Sequence, residues 1–121
     1  EQADLDRIHD AVAARFAAEV AAGQVAIHRA PSHAAAGRFA DASLDWVYID
    51  GDHFFDAVSR DLALWAPKVK PGGVIAGDDY RESPIYGTDV VRAVDEFAAE
   101  HGLTVESRGR QFLMRLPPRE P

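Results

Sequence analysis

An α/β domain with a mostly parallel sheet and right-handed crossovers is predicted by three features of this 121-residue chain. Short apolar runs of strand length alternate with longer stretches of helical period. One of the runs, Leu44 to Ile49, is near-continuously apolar, as expected for a central strand covered on both faces. A terminal pattern of two short runs around Ser107-Arg108-Gly109-Arg110 predicts a β-hairpin.

Leu5, Ile8, Val12, Phe16 and Val20 share one helical stripe, and Gly23 stands where a C-terminal cap belongs, so a helix is expected over about 4–22. Val25-Ala26-Ile27-His28, bounded by Gly23 and Pro31, suits a strand. Residues 32–40 suit a short helix capped by Ser32 and weakened by Gly37. After the 44–49 strand, Phe54, Val58, Leu62, Trp65 and Val69 recur at helical spacing until Pro71-Gly72-Gly73 stops them. Val74-Ile75-Ala76 is a second buried strand, running into Gly77-Asp78-Asp79-Tyr80. A loop over 81–87 precedes a helix marked by Val90, Val91, Val94, Phe97 and Ala98 and closed by His101-Gly102. Trp46 and Trp65 are expected on core faces. Residues 1–116 make one expected domain, with 117–121 as a frayed tail.

Thirteen Lys+Arg against 20 Asp+Glu leave a formal net charge of −7, and the basic residues are scattered. Such a balance disfavours nucleic acid and anionic membrane surfaces as partners. Cysteine is absent, which excludes disulfides, thiolate zinc sites and a cysteine nucleophile. No apolar run approaches the ~20 residues of a membrane span, and the expected address is the cytoplasm.

Ligands of open parallel sheets sit beyond the carboxyl ends of the strands. That rule selects two loops, Asp50 to His53 and Gly77 to Tyr80. If the two strands are neighbours, about 4.8 Å apart, Asp50, Asp52, Asp78 and Asp79 converge where one small hard cation could bridge them. The alternative for the same residues is a helix cap at Asp52 and a solvated loop at Asp78-Asp79. His53 opens the following helix and is either a general base or a surface residue. Tyr80 and Tyr86 flank the 81–87 loop, either lining a substrate cleft or packing.

The run from Leu44 to His53, the segment Lys68-Val69-Lys70-Pro71-Gly72-Gly73-Val74-Ile75-Ala76-Gly77-Asp78-Asp79-Tyr80, and Gly87 to Phe97 closely resemble class I S-adenosylmethionine-dependent methyltransferases. Within these the resemblance is to the methyltransferase domain 24 group and its metal-dependent sugar O-methyltransferase relatives. It implies a Rossmann-like sheet in the order 3-2-1-4-5-7-6 with the last strand antiparallel. On that pattern 25–28 is strand three, 44–49 strand four, 74–76 strand five, and the hairpin strands six and seven. Strands one and two are then missing, and the domain is expected to be N-terminally incomplete, its fragment inactive alone. The resemblance further implies Mg²⁺ held by Asp50, Asp78 and Asp79, and catalysis by His53 with Asp50. Cofactor contacts would come from Ser32, His33 and Asp52, with a small-molecule hydroxyl as methyl acceptor. Association into oligomers follows as an expectation from the missing strands.

Two other readings fit parts of the pattern. Asp50-Gly51-Asp52 also fits the Asp-x-Asp motif of haloacid-dehalogenase-like phosphatases, with Asp50 as nucleophile. A single helix between the acidic motifs leaves no room for that family's intervening motifs, and Lys68 and Lys70 lie at the wrong strand end. The third reading is a non-catalytic remnant domain.

Overall fold

The computed structural model describes residues 1–119, which divide into two compact units, Glu1–Pro31 and the described residues from Ser32 onward. The first unit holds α1 (Gln2–Arg15) and α2 (Ala17–Ala21). The single helix expected over 4–22 is interrupted at Phe16, whose φ of −108° and ψ of 16° leave the helical region. Gly23 follows α2 with φ +77°, and its N–H donates to Val20 O, the left-handed ending that glycine adopts at least cost. Residues 25–28 are not a strand and do not join the sheet, and apolar composition alone does not make one.

The second unit carries α3 (Ser32–Ala35), a 3₁₀ turn at Ala36–Arg38, β1 (Leu44–Ile49), α4 (Phe55–Trp65), a 3₁₀ turn at Ala66–Lys68 and β2 (Val69–Gly77). There follow α5 (Asp89–His101), β3 (Val105–Arg108) and β4 (Gln111–Arg115). The sheet order is β1-β2-β4-β3. β1 pairs β2 in parallel, whereas β4 is antiparallel to both β2 and β3. This mixed α/β arrangement reproduces the 4-5-7-6 half of the expected strand order.

Val47, Ile75 and Met114 are register partners across three strands and form a buried row on one sheet face. α4 and α5 supply Leu62, Val94 and their neighbours to the same core, with Phe112 adding the largest fully buried side chain. The alternate row of β1 points the other way. Trp46 there is 63% exposed and Tyr48 is also exposed, so β1 is an edge strand buried on one face rather than covered on both. Trp46 accordingly lies off the core, while Trp65 packs partly against it.

The Pro-Gly-Gly segment does not stop the preceding helix; it lies inside β2. Leu44 pairs with Val69 and Trp46 with Val74, so two steps on β1 match five on β2 and the intervening residues loop out. Gly72 N–H donates to Pro117 O at 2.9 Å, which ties down the first residue of the expected tail. Glu120 and Pro121 lie outside the described residues. No helix among the described residues is long and apolar enough to cross a membrane.

Gly77 closes β2 where Ile49 of β1 and Phe112 of β4 approach it closely. A Cβ at this position would lie 2.5 Å from Ile49 O and 2.5 Å from Phe112 ring carbons. A backbone carbonyl cannot swing aside, so Gly77→Ala should cost about 1–3 kcal/mol, the usual range for overpacking. Urea unfolding reads this directly, and an unshifted midpoint would refute it.

Candidate active site at the carboxyl ends of two parallel strands

Parallel pairing of Ile49 with Gly77 brings the two strand ends to one level, and Asp78 N–H extends the ladder to Ile49 O at 3.1 Å. The residues immediately beyond each strand are acidic. Asp50, Asp78 and Asp79 each offer a carboxylate oxygen, and these oxygens lie within 4.8 Å of one another. Asp50 is exposed; Asp78 and Asp79 are half-buried. Like charges so close repel, so the cluster calls for a counter-charge.

His53 supplies one partner, with Nε2 3.2 Å from Asp79 Oδ2. Asp79 itself adopts a left-handed backbone with φ +64°, a conformation that costs a non-glycine residue roughly 1–2 kcal/mol. Its carbonyl accepts hydrogen bonds from Arg81 N–H at 2.9 Å and from the Tyr86 hydroxyl at 3.3 Å. The Tyr86 ring also stacks on the His53 imidazole, with centroids 5.0 Å apart and planes 14° from parallel.

The 81–87 loop is a closed turn. Ser83 and Gly87 exchange backbone hydrogen bonds of 2.9 and 2.8 Å, and Ile85 N–H donates to Ser83 Oγ. At its end α5 begins, and Asp89 accepts the Phe55 N–H of α4 at 3.1 Å. Arg92, beside Asp89, lies over the Phe55 ring at 4.0 Å. The starts of the two helices are thus joined next to the acidic loops.

Asp52 is not one of the three clustered carboxylates: its Oδ1 accepts the Phe54 N–H at 3.0 Å, an Asx turn ahead of α4. Neither cap nor metal-cluster member describes it. Ser32 lines a cavity of about 360 Å³ beside the end of β1, together with Asp50, Gly51, Asp61 and Trp65. The Trp65 indole N–H lies 3.1 Å from Ser32 Oγ and 3.2 Å from Ser32 O, which holds the α3 start against α4. His33 is not among the residues that line this cavity. Lys68 and Lys70 pair with Asp41 and Asp45 at the opposite end of the strands from Asp50.

Sequence reading missed two participants, Asp61 and Asp95, and the main contact of a third. Asp61 is a buried carboxylate on α4, and its signal was an acidic residue between Val58 and Leu62 on the apolar stripe. Tyr86 was named only as lining a cleft or packing, because its stacking on His53 depends on how the loop closes. Asp95 of α5 accepts a 2.6 Å hydrogen bond from the Tyr80 hydroxyl, fastening the residue after Asp79 to that helix.

A family model described as "Methyltransferase domain" matches residues 2–80. Among solved structures, a protein from Corynebacterium glutamicum is similar at a TM-score of 0.63 and 15% identity, over 81% of this chain and 50% of that one. A possible exported protein from Bordetella parapertussis is similar at 0.60 and 16%, over 89% and 49%. At these identities the likeness is one of fold, and the chain spans about half the length of both. No curated protein matches the chain.

Burial first, and then the hydrogen bond to Asp95 and that carboxylate's charge acting in the same sense, together push the Tyr80 phenol up from 10.0 to about 12. The neutral phenol is therefore favoured in the folded state. Its contribution to stability is complete below pH 10 and is lost as pH rises through about 12. Urea midpoints of the unaltered protein should fall faster across that window than those of Tyr80→Phe; parallel curves would contradict this.

Proposed function

This chain belongs to the methyltransferase domain family, and from that membership we propose that it serves methyl transfer from S-adenosylmethionine to a hydroxyl group of a small molecule. The observation that carries the reading is the meeting of Asp50, Asp78 and Asp79 at two adjacent strand ends, with His53 against Asp79.

The donor set fits a hard divalent cation such as Mg²⁺. Three carboxylates offer only oxygen, and ligands about 2.1 Å from Mg²⁺ lie about 3–4.2 Å from each other, a range inside the 4.8 Å that bounds these oxygens. Asp50, Asp78 and Asp79 would hold the ion. Bound there, it would supply the positive charge that makes an acceptor hydroxyl more acidic.

The cavity beside β1 falls in the size range of small-molecule sites, about 300–1,000 Å³. Ser32 on its wall, His33 next in the chain and Asp52 beyond Gly51 are the candidate cofactor contacts. When bound, the cofactor supplies a methyl group activated by its sulfonium. His53 is the general base: with Nε2 turned to Asp79, Nδ1 is the nitrogen that takes the hydroxyl proton. Asp79 then steadies the positive ring. Asp50 would help orient the acceptor hydroxyl toward the methyl group that the cofactor would supply.

Release of S-adenosylhomocysteine by the complete protein, incubated with a panel of sugars and catechol-type phenols, tests the reading; no release with any acceptor counts against it. His53→Ala should lower the rate by about 10²–10⁴-fold, with partial recovery in imidazole buffer. An unchanged rate removes His53 as base. Asp78→Ala should abolish stimulation by Mg²⁺, and a native rate indifferent to both Mg²⁺ and chelator would remove the cation from the reaction.

A further inference from the structure

We propose that Tyr86 is a positioning residue that holds His53 and Asp79 on one scaffold. The inference rests on the roles given above to those two residues and extends them to the side chain that contacts both. Tyr86 is 6% exposed and makes two different contacts from opposite parts of its side chain. Its ring lies flat against the His53 imidazole, and its hydroxyl donates to the Asp79 carbonyl.

The second contact matters because Asp79 is strained. A left-handed aspartate persists only where its surroundings over-determine it. Arg81 N–H and the Tyr86 hydroxyl both bond the Asp79 carbonyl, so they restrict rotation of the peptide that sets the carboxylate's direction. The ring in turn limits His53 to orientations parallel to its own plane, 5.0 Å away. The Ser83–Gly87 turn and the Asp89 N–H bond to Tyr86 O at 3.1 Å anchor the tyrosine backbone. One side chain thereby sets the separation between the base and one carboxylate of the cluster.

Mn²⁺ binding, read by electron paramagnetic resonance on the complete protein without substrate, tests the hydroxyl contact. Tyr86→Phe should weaken Mn²⁺ about five-fold, the worth of one hydrogen bond, with the ring stack kept. In an Asp79→Asn background the same change should add nothing, because the carboxylate it positions is gone. Equal weakening in both backgrounds, or none in the native background while Asp79→Asn weakens binding, overturns the role of Tyr86. Native Mn²⁺ affinity in Asp79→Asn instead overturns the cation reading and the inference with it. The stack is read separately by the His53 ring proton resonances. These should stay shifted upfield in Tyr86→Phe and move downfield in Tyr86→Leu, and unmoved resonances in the leucine variant refute the stacking role. If that variant fails to fold, the phenylalanine cycle decides alone.

Discussion

The parallel pairing of β1 with β2 is the constraint on which the rest of the second unit depends. Parallel strands run in the same direction, so both end at the same edge of the sheet, and whatever follows them shares one small volume. Here Ile49 faces Gly77, and Asp78 continues the ladder by one more bond. Side-chain preference has no part in bringing the two acidic loops together. A register shift of one residue would exchange the buried row of Val47 and Ile75 for the exposed row of Trp46 and Tyr48, so core burial holds the site in place.

Around that edge the structure tolerates unfavourable local choices. Three carboxylates stand closer than they would in water, and one of them has a backbone conformation that glycine would adopt more readily. Packing elsewhere opposes both costs. Gly77 lets β1 and β4 close tightly, Tyr80 is fastened to α5 through Asp95, and Phe55 and Asp89 join the two helix starts.

Some elements were legible because their signals are local. The strand over 44–49 matched residue for residue, and the 89–101 helix showed its apolar stripe and its glycine ending. The acidic pairs were visible for the same reason, as breaks in apolar composition after strand-length runs. Other features depend on partners distant in sequence. Residues 25–28 look like a strand but do not join the sheet, and β2 extends through Pro71-Gly72-Gly73 because its neighbour and the Pro117 carbonyl accept that looped backbone. The two-sided burial expected of β1 fails because the sheet covers only one of its faces with α4 and α5.

The amino-acid sequence by itself determined the alternation of strands and helices, the acidic ends of two strands and the histidine at a helix entrance, since periodicity and turn chemistry are properties of neighbouring residues. Only the tertiary structure decided that Asp79 rather than Asp52 meets His53, that Tyr86 stacks on that ring, and that Asp61 is drawn inside. Those contacts join elements separated by a helix or a loop. Their geometry follows from strand register and loop closure, which no short stretch of sequence specifies alone.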